Sequence, residues 1–285
     1  MEFRNASPAD LEAEFAVFVA AQEELTRRRG SDWSRPQDDG YRRWVELHRH
    51  VLRHDGQRAF VAEEAGRIVG FTAALARDDA WFLSALFVAP DQQGRGIGRQ
   101  LLELAWGGEH TRRITITDAL QPVSNGLYAG RGLMPTVPVL ALSGEPRIAP
   151  TVWLEPATPT GDQLRSLDLA AYGFDRSVDH AFWKETSEAT VWLREHEPVA
   201  YSYQTPFGIG PLAGRDPESA VLALRAELRR FDGARAELLI PASARALVET
   251  AVAAGLRFGD PGLLLVSPAV QAPPTALVIH SYWLY

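Results

Sequence analysis

Apolar residues recur along the first hundred positions with two clear periods. Leu11, Phe15, Phe18 and Val19 fall on one helical face, behind a start signal, Ser7-Pro8-Ala9-Asp10, in which Ser7 caps and Asp10 completes a capping box. Tyr41, Trp44, Val45, His48, Val51 and Leu52 repeat that spacing and predict a second helix. Phe60–Glu63 and Ile68–Thr72 read as a hairpin turning near Gly66. Trp81–Val88 is a nearly continuous apolar strand, buried on both faces. A glycine-rich loop and a helix to about Trp106 follow. Ile114–Thr117 is then a short strand, Ser124–Gly130 a helix, and Gly132-Leu133 opens another strand.

The texture changes around Ala149 to Gly161, where Pro146, Pro150, Pro156 and Pro159 suggest a linker. Beyond it the same order of elements returns. Thr190–Leu193 and Val199–Tyr203 form a hairpin, Phe207–Leu212 a strand, and Asp216-Pro217-Glu218 opens a helix. Leu238–Ile240 is a strand, Ala242–Ala254 a helix, and Leu263–Ser267 a closing strand. The pattern predicts two copies of one α/β unit, each a mixed, mostly antiparallel sheet flanked by helices, at 1–148 and 149–285. The apolar tail, Leu277–Tyr285, is expected to pack as a strand on one of the two lobes.

Composition narrows the function classes. The chain has 285 residues, 46% hydrophobic and 23% charged, as a globular protein does. Its 29 basic and 36 acidic residues give a net charge of −7, which argues against a nucleic-acid partner. It has no cysteine, so disulfides, thiolate metal sites and thiol catalysis are excluded. No apolar run is long enough to span a bilayer and no signal core opens the chain, so a cytoplasmic location without membrane contact is expected.

The chemistry concentrates where the apolar strand meets the loop: Leu86-Phe87-Val88-Ala89-Pro90-Asp91-Gln92-Gln93-Gly94-Arg95-Gly96-Ile97-Gly98-Arg99. Glycines let backbone approach a ligand, and the first N–H groups of a helix lack partners at the positive end of its dipole. That combination suits a phosphate or pyrophosphate, with Arg95 and Arg99 adding charge. The spacing is not the dinucleotide fingerprint, and no Gly-Lys-Ser/Thr ending of a Walker loop is present.

The stretch Gln93-Gly94-Arg95-Gly96-Ile97-Gly98, behind Val88-Ala89-Pro90-Asp91 and ahead of Leu101-Leu102, resembles the acetyl-CoA signature of the GNAT acyltransferases. Leu127-Tyr128-Ala129-Gly130-Arg131-Gly132-Leu133 resembles their later tyrosine segment. The resemblance spans Phe3 to about Gly144; the second half shares element order only. Its counterpart loop, Ala213-Gly214-Arg215, is too short to cradle a pyrophosphate. A tandem protein with an intact first lobe and a degenerate second is therefore expected.

The resemblance implies that Leu86, Phe87 and Val88 line the pantetheine arm of acetyl-CoA. It implies that Gln93, Gly94, Arg95, Gly96, Ile97, Gly98 and Arg99 hold the pyrophosphate. Gln121 stands where many members carry an Asn at the cofactor. It makes the Val88 N–H the partner of the thioester carbonyl and Tyr128 the acid that protonates the leaving thiolate; packing is the alternative for Tyr128. The implied activity is N-acetyl transfer to the amine of a small-molecule acceptor, without a metal. A non-catalytic acyl-CoA sensor and a transferase of another acyl group are the competing readings.

No general base is assigned. Ser84 is the strand's only polar residue, and Glu46, Asp78, Asp79, Asp118 or water remain open. His48, His50 and His54 read as a solvated or partly packed helix face rather than a metal site. The mixed segment Ala171–Trp183 reads mainly as a cap, Ser177 or Asp179, followed by core aromatics, with acceptor binding as the alternative.

Overall fold

A computed structural model describes residues 1–30, 35–36, 38–147, 154–205, 208–231 and 233–285. The chain packs as two units, Met1–Ala76 with Trp81–His110, and Arg77–Ala80 with Thr111–Tyr285.

The first unit runs β1 (Glu2–Asn5), α1 (Leu11–Arg29), α2 (Asp38–Asp55), β2 (Ala59–Glu64), β3 (Arg67–Arg77), β4 (Ala80–Val88) and α3 (Ile97–Ala105). Its strands lie in the order β1-β2-β3-β4. The expected capping box forms: the Asp10 carboxylate accepts from the Ser7 N–H and hydroxyl, both at 2.8 Å, and also from Arg4. The turn at Ala65-Gly66 takes positive φ, as a tight hairpin needs. Phe15, Phe18, Trp44, Phe71 and Phe87 make one aromatic layer between the two helices and the sheet. On the opposite face Ile97 and Leu101 pack on Ala62 and Val69.

The second unit contains β5 (Arg112–Asp118), α4 (Pro122–Ala129), β6 (Met134–Gly144), β7 (Glu155–Ala157), α5 (Gly161–Ala171), α6 (Ser177–Thr186) and β8 (Glu188–Arg194). There follow β9 (Glu197–Gln204), β10 (Ile209–Gly214), α7 (Pro217–Arg229), β11 (Ala236–Pro241), α8 (Arg245–Ala253), β12 (Arg257–Phe258), β13 (Gly262–Val266) and β14 (Leu277–Val278). One set of strands is ordered β5-β13-β6-β11, with β12 beside β6, and the other β14-β10-β9-β8-β7.

The element order repeats as the sequence suggests, but the closing strands of the two halves are exchanged. β13, from the second half, pairs antiparallel with β5 over Gly262–Val266. β6, from the first half, pairs antiparallel with β11 from Val139 to Gly144. The two exchanged strands also pair with each other. Leu142 of β6 consequently sits in one apolar cluster with Leu212, Leu224, Leu238 and Val278. A compact unit therefore does not end near residue 148, because β6 completes a sheet begun by later residues.

The proline-rich stretch is not a free connector over its described part. Pro156 lies in β7, opposite Trp192. Thr160 caps α5 in a reciprocal box with Gln163. Pro150 and Phe207, used in the sequence reading, lie outside the described residues. The tail is a strand only at Leu277–Val278.

Candidate functional site

β4 is buried from Ala80 to Ala85 and becomes half-exposed at Leu86, Phe87 and Val88. Alternation along the strand sends Phe87 into the aromatic layer, against Phe18 at 5.2 Å between ring centroids. Leu86 and Val88 pack on the other face, with Ile97 and Leu101 of α3. Gly70 permits this approach: a Cβ there would stand 3.1 Å from Leu101 Cδ1 and from the Phe87 carbonyl oxygen. At the far end, the Trp81 indole N–H donates to the Ala105 carbonyl at 3.0 Å, fastening the end of α3 to the start of β4.

The loop between them turns through a short 3-10 segment, Pro90–Gln92. Gln93 donates its side-chain amide to the Val88 carbonyl at 3.1 Å, so this side chain holds the loop to the strand end. Gly94 and Gly96 adopt φ of 80° and 83°, and a Cβ at either would meet nothing within 4 Å. Gly96 is the N-cap of α3 and offers no capping side chain. Gln100 makes the first helical bond, to the Gly96 carbonyl at 3.1 Å. The N–H groups before Gln100 have no acceptor within their own helix, which suits a pyrophosphate. Gly98 lies in the first turn. Arg99 is exposed, and Arg95 is paired with Glu64.

In the second unit, α4 carries the remaining predicted residues. Gln121 is its N-cap, accepting from the Val123 N–H at 3.4 Å, so its side-chain oxygen serves its own helix. Tyr128 is 5% exposed in the last turn, and burial raises its phenol above the ordinary range. It is a protonated phenol at neutral pH, as a proton donor must be. The Tyr128 carbonyl accepts from the Arg131 and Leu133 N–H groups, closing the turn through Gly132 at φ 84°.

Three of the four open carboxylates accept identified hydrogen bonds. Asp79 pairs with Arg112, which holds its carboxyl below the usual range. Asp78 accepts from the Asp175 N–H at 2.9 Å, and Asp118 from the Leu120 N–H at 2.7 Å. Glu46 is exposed on α2.

The histidine run is more buried than a solvated face: His48 and His50 are 2% and 6% exposed. His48 stacks on Trp44 at 3.7 Å and faces Glu14 at 3.7 Å, while burial lowers its pKa. Glu14 escaped the sequence reading. Its signal was a carboxylate on the face that carries Leu11, Phe15 and Phe18. Among the described residues no group of three or more His or acidic side chains is placed to hold a metal.

Within Ala171–Trp183, the side chains of Tyr172, Phe174, Arg176, Asp179, His180 and Trp183 are buried in the second unit, and Gly173, Ser177, Val178 and Ala181 are exposed. Neither Ser177 nor Asp179 caps α6: Arg176 holds the N-cap position without a side-chain cap bond, and Asp175 before it accepts from the Ser177 N–H at 2.8 Å. Asp168, fully buried, accepts from Tyr201 at 2.7 Å and bonds His180 at 2.8 Å. Arg77 pairs with Asp179 at 2.6 Å.

Residues 55–132 match the family model of the acetyltransferase (GNAT) domain. Over most of its length the chain has the fold of solved GNAT proteins, a tandem one among them. An acetyltransferase structure from Pyrococcus horikoshii superposes with a TM-score of 0.79 at 17% identity, covering 100% of this chain and 95% of that one. A GCN5-related N-acetyltransferase from Sphaerobacter thermophilus gives 0.61 at 15%, covering 93% and 95%. A tandem GNAT protein of clavulanic acid biosynthesis gives 0.57 at 18%, covering 93% and 98%. No curated protein matches. Among the described residues, no helix is long and apolar enough to cross a membrane.

Proposed function

We propose that this chain is an acetyl-CoA-dependent N-acetyltransferase that passes the acetyl group directly to the amine of a small-molecule acceptor. One observation carries the reading: a strand end that opens at Leu86–Val88 leads directly to a helix start that only Gly96 caps. Acetyl-CoA supplies a thioester carbonyl carbon for the amine to attack; a C–N bond forms and the C–S bond breaks.

The residues of the chain divide the remaining work. The main chain of Phe87 and Val88 holds the donor arm, and the Val88 N–H polarises the thioester carbonyl. The N–H groups from Gly94 to Arg99 take the pyrophosphate. Tyr128 gives its proton to the departing sulfur. No side chain is assigned as the base, and the proton lost by the amine passes to water. An acceptor of modest pKa suits that arrangement.

The test is a thiol-release assay with acetyl-CoA and a panel of small amines, with mass spectrometry of the product. Amine-dependent thiol release with acetylated amine is expected. Tight acetyl-CoA binding without release across the panel would instead make the protein a binding module.

A further inference from the structure

The repeated element order lets the two halves be compared residue by residue. β4 is the last strand before α3, and β10 the last before α7. Counting back from the strand ends aligns Val88 with Gly214, Phe87 with Ala213 and Leu86 with Leu212. The first half leaves this strand end half-exposed, and the second buries every residue of β10.

What covers β10 is the chain itself. β14 runs antiparallel along its edge, Val278 opposite Leu212 and Leu277 opposite Ala213. The Gly214 N–H donates to the Ala276 carbonyl at 2.9 Å. Gly214 is the counterpart of Val88, whose N–H is assigned above to the thioester carbonyl. On the other side the Ile279 N–H donates to the Leu239 carbonyl of β11 at 2.8 Å. Leu277 and Val278 are fully buried and Ile279 is 1% exposed. The segment is thus wedged between the strands that precede and follow α7.

The helix start differs in the same sense. Asp216 caps α7, its carboxylate accepting from the Ser219 N–H at 2.8 Å, with Pro217 next in the chain. A carboxylate there satisfies the dipole that Gly96 leaves open in α3, and it repels a phosphate.

We infer that Ala276–Ile279 fills, in the second half, the slot that the acyl-donor arm takes in the first, and that Asp216 stands in for the pyrophosphate. The inference rests on the donor-site reading of the first half. An exposed strand edge demands a hydrogen-bonding partner. An amide-bearing donor arm supplies it in one half, and four residues of main chain supply it in the other. The protein therefore holds one donor site per chain, and the second half is complete without a ligand.

Hydrogen exchange of the whole chain, with and without saturating acetyl-CoA, tests this. Peptides covering 209–215 and 276–280 should exchange slowly in both states, while the peptide covering 86–99 slows only with acetyl-CoA. Faster exchange at 276–280 on adding acetyl-CoA would mean that the donor displaces the segment, and would overturn the inference. So would rapid exchange there in the free protein. No change at 86–99 with acetyl-CoA would instead refute the donor site of the first half.

Discussion

Glu64 grips Arg95 through two hydrogen bonds, Oε2 to Nη1 at 2.8 Å and Oε1 to Nη2 at 2.9 Å. The same guanidinium donates to Gln92. Arg67 and Asp91 cross the same gap at 2.6 Å with the charges reversed, so the β2–β3 hairpin and the glycine loop are clasped twice. Both pairs are exposed and therefore exchange partners readily. At the proposed donor site, the pyrophosphate competes with Glu64 for Arg95. Glu64→Gln should tighten acetyl-CoA about two- to fivefold, and should have no effect in an Arg95→Gln background. Calorimetric affinities of the four proteins in this cycle check it.

Tyr128→Phe removes the proposed proton donor while keeping the ring. Turnover should fall about tenfold or more, with acetyl-CoA affinity unchanged. Steady-state rates beside a binding titration separate the two. Unchanged turnover would reduce Tyr128 to packing.

Asp10 gives the fold an acid-sensitive anchor. The Arg4 hydrogen bond, and after it the Ser7 bonds, draw its carboxyl down to about 2. The native state thus binds fewer protons here than the unfolded chain, so this contribution is complete above about pH 4 and disappears as pH falls toward 2. Asp10→Asn should cost on the order of 1 kcal/mol at pH 7 and progressively less as pH falls through about 2. Denaturant midpoints across that range measure it.

The network around Asp168 should be the most sensitive point of the second unit. Tyr201, His180 and the Arg176 main-chain N–H all converge on its carboxylate. Asp168→Ala leaves these groups unpaired in a closed interior and should cost on the order of 3 kcal/mol. Tyr201→Phe, which removes one donor, should cost about 1 kcal/mol. Chemical denaturation of both variants tests the ranking.

Local chemistry was legible in the sequence and strand partnership was not. The Ser7–Asp10 box, the turn at Gly66 and the helix after Gly96 depend on neighbours within a few residues, and all formed where read. The exchange of β6 and β13 depends on pairings more than a hundred residues apart, such as Val139 with Pro241, which no local period records. Gly70 read only as a strand residue, because its need for a missing Cβ comes from Phe87 and Leu101. Gln93 and Gln121 were legible as polar residues at the right places. Their side-chain bonds, to the Val88 carbonyl and the Val123 N–H, are tertiary and local details that the motif does not encode. Likewise the tail's apolar run predicted a strand, but its place on β10 required the fold.

The proposed function stands on a single acyl-donor site at the start of α3. A calorimetric titration of the wild-type chain and of Gly96→Glu with acetyl-CoA tests it directly. Gly96 stands at φ 83°, in open space at the helix start, so a glutamate there brings negative charge to the place assigned to the pyrophosphate. One acetyl-CoA per wild-type chain at micromolar protein, and none on the variant, is the expected result. No binding to the wild type, or equal binding to both, would contradict it.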